Sequence, residues 1–338
     1  MSTVIRSPNW IGDGIMSLPA IRAYKHLFPS EHLAVAAKGY LADIFLNIPE
    51  IDEIIPLPDR WTARTFFSSL TPLRRRRFER GILFTNSFSS ALFFRLAGVR
   101  ASSGYARDGR GALLQDKVPF ADDHGHHQEY YLRIIEHLAG KKIIRAFPAA
   151  LVVSAAEKEW AAGWLRELGI AGDRPLLAVS PTAAYGSAKA WPPDRFRELI
   201  RRWQENRPGS AVLLLGGPSE QHAIAAIADG LPGSVLNLAG RLGLRRSIAV
   251  LSLCRLFIGN DSGLMHIAAA LGVPLVAVFG PTEPGRTAPL AERFRLLHRG
   301  ADCAPCRHRS CPTDHRCLTA ISVAEVLGAA LELWEAAP

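Results

Sequence analysis

Residues 257–284 read FIGNDSGLMHIAAALGVPLVAVFGPTEP, and the order of elements in that run decides the fold class. A short apolar strand ends near Gly259, and a polar turn follows at Asn260, Asp261, Ser262 and Gly263. A helix then presents Leu264, Ile267, Ala268 and Leu271 as its apolar residues, and a second apolar strand runs from Pro274 to Phe279. Strand, turn, helix and strand make a parallel βαβ unit. The first turn gathers free backbone N–H groups at the positive end of a helix, where phosphate is favoured. Asp261 adds a carboxylate suited to sugar hydroxyls. His266 stands four residues after Ser262 and therefore on the same helix face. A plain Asp-Ser N-cap with a packed histidine is the competing reading of these residues.

The same alternation extends in both directions. Residues 3–6 form a strand candidate, and Ser7 to Gly14, SPNWIGDG, form a turn that leads into a helix ending near Pro29. Asp13 lies between two glycines at the C-terminal edge of that strand, a position suited to a general base. A helix N-cap is the alternative. Strand candidates recur at His32–Ala37, Glu53–Leu57 and Gly81–Phe84, the last followed by Thr85, Asn86 and Ser87. This is the pattern of a doubly wound α/β domain.

An amphipathic helix over 155–168 precedes a Gly, Asp and Pro-containing stretch at 169–175, which marks a linker. The expected domains are therefore 1–168 and 175–320, with a final helix within 321–338. The second begins with a strand at Leu176–Ser180 and a small-residue loop, PTAAYGSAKAW, whose Thr182 and Lys189 suit phosphate. After the strand at Ala211–Leu215, a Gly-Gly-Pro-Ser turn brings Glu220 to a place suited to ribose hydroxyls, or to a helix start. Polar turns on two sheets in series imply a ligand held in a cleft between domains.

Composition narrows the function classes. The 338 residues are 48% hydrophobic and 21% charged, as in an ordinary globular chain long enough for two cores. No apolar run reaches membrane-span length, and Arg6, Asn9 and Asp13 break up any signal-peptide core. A cytoplasmic location is expected. The net charge of +9 is weighted forward, with +6 in residues 1–150. Arg74 to Arg77, Arg107 and Arg110 suit a phosphorylated ligand or an anionic membrane surface, although a solvated helix end accounts for Arg74 to Arg77 equally well. No nucleic-acid motif accompanies the charge. His124, His126 and His127 read as surface histidines. Cys303, Cys306, Cys311 and Cys317 invite a zinc reading, but the spacing of the second pair departs from the usual one, and structural thiols are the alternative.

Four segments, SPNWIGDGIMSLPAIRAYK, TNSFSSAL, AKAWPPDRF and NDSGLMHIAAALGVPLVAVFGPT, resemble the ADP-heptose-using lipopolysaccharide heptosyltransferases, glycosyltransferase family 9, most closely the heptosyltransferase II branch. The likeness runs through nearly the whole chain. It implies a GT-B fold of two Rossmann-like domains facing a cleft, the first binding acceptor and the second the ADP-sugar. It also implies inverting transfer of heptose from ADP-L-glycero-D-manno-heptose to an inner-core heptose on lipid A, with no cofactor and no catalytic metal. By the same resemblance Asp13 is the base. Lys189 acts with Thr182, Ser262 and Gly263 at the diphosphate, and His266 completes its phosphate end. Glu220 would hold the ribose, Leu242 the adenine and Asp261 the donor heptose, while Asn9, Trp10, Asn86, Ser87 and Arg107 face the acceptor. A lipid-linked acceptor adds a peripheral station on the inner membrane to the expectations. The cysteine-bearing insertion and the alanines at 183 and 184 depart from the family pattern. Heptosyltransferase I, a later core glycosyltransferase and a non-catalytic nucleotide-sugar-binding protein are the alternatives; oligomeric state is left open.

Overall fold

The computed structural model describes residues 1–120, 125–144, 146–232, 234–306 and 308–336. His124, one of the three clustered histidines, lies outside the described residues. The chain divides into two compact units, Met1–Val152 and Val153–Pro338.

The first unit carries a parallel sheet of β1 (Ser2–Arg6), β2 (His32–Lys38), β3 (Glu53–Leu57), β4 (Arg80–Leu83), β5 (Ala101–Tyr105) and β6 (Asp116–Val118). Their order is β3-β2-β1-β4-β5-β6. The second carries β7 (Leu176–Ser180), β8 (Ala211–Leu214), β9 (Val235–Asn237), β10 (Leu256–Asn260), β11 (Leu275–Phe279) and β12 (Phe294–His298), again all parallel. Its order, β12-β11-β10-β7-β8-β9, repeats the first when read from the other edge. Strands β7, β10 and β11 are buried at every residue, which is why they read as unbroken apolar runs rather than alternating ones.

In this topology the chain leaves the first strand of each sheet in one direction and returns beside it with the fourth. The crevice at the C-terminal ends of that pair is where ligands bind in open α/β sheets. The two switch points fall between β1 and β4 and between β7 and β10. The segments that follow these four strands carry Asp13, Asn86, Lys189 and Asp261.

The division between units comes earlier than the linker expected at 169–175. The helix Ala155–Glu167 packs against the helix Leu244–Leu251 of the second unit, and Glu157 binds Arg245 there. A capping box of Ser154 and Glu157 starts that helix, and Glu157 Oε2, which accepts from Ser154 N–H, accepts from Arg245 as well. The boundary is set by this contact rather than by the glycine and proline content of the following turn. The terminal helix Val323–Glu335 also belongs to the second core, where Trp334 meets Trp203 edge to face and Arg255 caps its end through the Trp334 carbonyl.

Candidate functional site

At the first switch point the helix after β1 begins sooner than the sequence suggested. It spans Ile11–Leu27 with Trp10 as its N-cap, so Asp13 stands in the first turn. Gly12 and Gly14 are absent from the positive-φ glycines, and Gly14 instead allows close packing, since a Cβ there would lie 3.2 Å from Ile44 Cδ1. Asp13 is therefore no N-cap. Its Oδ1 lies 3.3 Å from Nδ1 of His127, and it also hydrogen-bonds the buried Tyr131 hydroxyl. Burial, followed by the Asp13 charge, pushes the Tyr131 hydroxyl well above its ordinary pKa, so tyrosine stays a neutral donor. His127, expected at the surface, is a partner of the candidate base.

Two buried arginines organise the same edge. Arg6 donates to the Ser7 carbonyl at 2.7 Å and to Asn9 Oδ1 at 2.9 Å, and burial pulls its pKa down to about 10. Tyr40 donates its hydroxyl to the Asn9 carbonyl, so Asn9 is fixed from both ends. Arg110 binds the carbonyls of Thr85 and Tyr105 and, at 3.2 Å, Asn86 Oδ1. That same oxygen accepts from the Tyr130 hydroxyl at 2.7 Å. Burial lowers Arg110 from the usual guanidinium range. Arg110, expected to meet a phosphorylated ligand or an anionic membrane surface, is instead fully buried and holds Asn86 in place.

The other acceptor-side residues divide. Trp10 is half exposed. Arg107 is exposed, with its guanidinium 4.2 Å from the Phe120 ring centroid. Ser87 caps the helix Phe88–Leu96 by accepting from Ser90 N–H at 3.3 Å, which occupies its hydroxyl structurally. Arg74 and Arg76 sit in the last turn of the helix Ala63–Arg76, where they bind the Leu96 carbonyl and Glu53, as expected of a basic helix end.

The second switch point joins residues distant in sequence. Lys189 Nζ lies 2.6 Å from Asp261 Oδ2, with the two side chains 16% and 7% exposed. Thr282 donates to the same oxygen at 2.7 Å, a contact missed from sequence although Thr282 follows the buried strand β11. Asn260 accepts from Trp191 N–H at 2.9 Å and lies 3.4 Å from the Thr182 carbonyl, tying the loop after β7 to the end of β10. The helix Gly263–Ala270 begins at Ser262, yet the Ser262 hydroxyl makes no capping bond. It and the Thr182 hydroxyl are among the buried polar atoms without a hydrogen-bond partner. The plain Asp-Ser cap is thereby replaced by an ion pair and an uncommitted hydroxyl beside a helix start, an arrangement suited to phosphate. His266 is buried one turn along.

Lys189 is held by its loop. Gly186 has φ +148, and a Cβ there would fall 2.1 Å from the Arg309 carbonyl oxygen, while Ala188 N–H donates to that carbonyl at 3.0 Å. Lys189 and Arg309 both lie near the Tyr185 ring, at 5.2 and 5.5 Å. Glu220 turns back on its own strand-to-helix turn, accepting from Gly217 N–H at 2.7 Å, and so also serves the helix-start role. Leu242 is half-buried in the turn before the helix Leu244–Leu251.

Cys303, Cys306, Cys311 and Cys317 line one cavity with His308, Pro281 and Ala188. Among the described residues no group of three or more His, Cys, Asp or Glu side chains is arranged to hold a metal ion. The loop's visible role is support: Cys306 N–H donates to the Pro281 carbonyl at 2.8 Å, next to Thr282. Among the described residues no helix is long and apolar enough to cross a membrane.

Two parallel sheets of identical strand order, each with a polar switch point, define the class as the GT-B fold. The solved structure of the E. coli ADP-heptose lps heptosyltransferase II superposes with a TM-score of 0.86, at 27% identity over 99% of both chains. The model of glycosyltransferase family 9 (heptosyltransferase) matches residues 67–316, and the chain belongs to that family. Lipopolysaccharide heptosyltransferase 2 of Salmonella typhimurium is 30% identical over 310 residues, 88% of each chain. Lipopolysaccharide heptosyltransferase 1 of Pseudomonas aeruginosa is 27% identical, covering 93% of this chain and 89% of its own.

Proposed function

We propose that this chain catalyses the heptosyltransferase II step, an inverting transfer of heptose from ADP-L-glycero-D-manno-heptose to the inner-core heptose of lipid A-linked core. The observation that carries the proposal is the chemistry at the two switch points: a carboxylate at one, and a lysine with uncommitted hydroxyls beside a helix start at the other. The similarity to a heptosyltransferase 2 at 30% identity supports the choice of acceptor.

Asp13 takes the proton from the acceptor hydroxyl as that oxygen attacks the anomeric carbon. Asn9, Trp10, Asn86 and Arg107 bind the acceptor, while Ser87 contributes mainly by capping its helix. As the bond to ADP breaks, negative charge grows on the diphosphate. Lys189, the Thr182 and Ser262 hydroxyls and the Gly263 amide are the groups that stabilise it. Lys189 has three donors, so it can keep Asp261 while meeting a phosphate oxygen. Asp261 holds donor heptose hydroxyls, Glu220 the ribose with the oxygen not committed to Gly217, Leu242 the adenine, and His266 supports the phosphate end. The lipid acceptor places this work at the inner face of the cytoplasmic membrane.

A heptosyltransferase I acceptor is the second reading, favoured by the Pseudomonas relative at only slightly lower identity. Mass analysis of products from ADP-heptose and core acceptors carrying no, one or two heptoses separates the two. Addition only to the one-heptose acceptor supports the proposal, and addition only to the heptose-free acceptor refutes it. Replacement Asp13→Ala is expected to lower turnover by about two to four orders of magnitude. Donor affinity should stay nearly intact. Equal loss of donor binding would give Asp13 a structural role instead.

A further inference from the structure

We propose that His127 is a positioning residue for Asp13: its ring holds one carboxylate oxygen and leaves the other to the acceptor hydroxyl. The proposal rests on the reading of Asp13 as the base.

The geometry begins with helix packing. His127 opens the helix His127–Ala139, and the preceding His126 caps that helix by accepting Gln128 N–H on its own Nδ1 at 3.1 Å. This helix packs along Ile11–Leu27. Residues 127 and 131 are four apart and so share a face. Both reach Asp13, His127 through Nδ1 at 3.3 Å and Tyr131 through its buried hydroxyl. The Asp13 side chain is 24% exposed and that of His127 36%, so the pair is open to a substrate on one side and backed by protein on the other.

An imidazole that carries a proton on Nδ1 donates to Asp13 Oδ1, which fixes the carboxylate rotamer. A general base works only within hydrogen-bond reach of the proton it removes, and small misplacements are costly. In the reaction the acceptor O–H bond breaks, its proton passes to Asp13, the oxygen forms the new glycosidic bond, and the bond to ADP takes its electron pair with the leaving group. His127 exchanges no proton in this scheme. The groups around the pair are Tyr131 and Tyr130 on the histidine's own helix; the Tyr130 ring lies 6.5 Å from that of His127. The charges of Arg110, Arg107 and Asp108 act on Tyr130, and Arg110 and Tyr130 both donate to Asn86 Oδ1.

The test measures steady-state ADP release by the full chain with ADP-heptose and a heptose-bearing core acceptor. It compares wild type, His127→Ala, His127→Gln, Asp13→Asn and the Asp13→Asn/His127→Ala double variant. His127→Ala should lower kcat about tenfold to a hundredfold, less than the ~10²–10⁴ of losing a base outright. Donor KM should move by no more than about twofold. Gln, which keeps an N–H donor, should restore most of kcat. In the Asp13→Asn background the same alanine should cost nothing further, because the histidine acts through Asp13. Unchanged kcat in His127→Ala, or an equal loss with and without Asp13, would overturn the proposal while leaving the base in place. Wild-type turnover in Asp13→Asn would overturn the base and this proposal together.

Discussion

Replacing Lys189 with methionine removes the cation of the most buried ion pair at the second switch point while keeping much of the side chain's bulk. The Nζ–Oδ2 separation of 2.6 Å corresponds to a gross Coulomb attraction of about 6 kcal/mol at an effective dielectric of about 20. The net loss is smaller, because desolvation of both groups offsets much of the attraction. Breaking a buried pair from one side costs about 3–5 kcal/mol when the remaining charge has no other partner. Here Thr282 still donates to Asp261 at 2.7 Å, which argues for about 2–3 kcal/mol. For a unit of this size that lowers the melting temperature by about 4–12 °C. Differential scanning calorimetry of Lys189→Met and Lys189→Met/Asp261→Asn is the assay. Neutralising the stranded carboxylate should recover most of the lost stability, whereas Asp261→Asn alone should strand the lysine and destabilise. A shift of less than about 1 °C in Lys189→Met, or no recovery in the double variant, would refute the claim that this pair is desolvated and coupled.

The hydrogen bond from Arg245 chiefly, with two more from Ser154, holds the Glu157 carboxyl down to about 2. The folded state thus binds fewer protons than the unfolded one, and this stabilisation is present above an ordinary carboxyl pKa of about 4.5 and lost as pH falls through about 2. In urea titrations, Glu157→Gln should lower the midpoint at pH 7 and flatten its decline toward pH 3. Burial pushes the Cys254 thiol up to about 12 and raises Cys317, while hydrogen bonds from Thr313 lower Cys311. Mass mapping after brief iodoacetamide treatment should therefore find Cys311 and the exposed Cys303 labelled, and Cys254 only after denaturation. Gly186→Ala drives a Cβ against the Arg309 carbonyl, so the loop bearing Lys189 must shift. Calorimetry should show ADP binding weakened by about tenfold or more, and unchanged binding would remove this loop from the nucleotide site.

The parts of the fold legible in the sequence are those set by neighbours along the chain. The apolar runs at β7, β10 and β11, the polar turns after them and the helix starts follow from local pattern, and with them the positions of Asp13, Lys189 and Asp261 at sheet edges. Partnerships were not legible. Lys189 meets Asp261 across 72 residues, and Asp13 meets His127 across 114, because strand order rather than sequence distance decides which turns adjoin. His127 looked like one of a solvated histidine run. The available signal was its four-residue offset from Tyr131 at the start of an amphipathic helix. Arg110 looked available to an anionic ligand, yet three carbonyl-type oxygens around its guanidinium account for its burial.

Hydroxyl residues at the switch points show why residue type alone could not sort structural from functional roles. Ser87 and Ser262 each precede a helix by one residue; from sequence Ser87 read as an acceptor-facing group and Ser262 as a cap or a ligand group. Ser87 spends its oxygen on Ser90 N–H, so its removal should cost roughly the 1 kcal/mol of a lost cap and little turnover. Ser262 makes no such bond, and neither does its neighbour in role, Thr182. A buried hydroxyl without a partner destabilises its own fold by about 1–3 kcal/mol, a cost that phosphate oxygens at the adjoining helix start would relieve. Ser262→Ala should accordingly leave the melting temperature unchanged or higher while weakening ADP binding. That inverse relation separates a ligand group from a cap, since a cap lost at Ser87 moves stability down and leaves ADP binding alone.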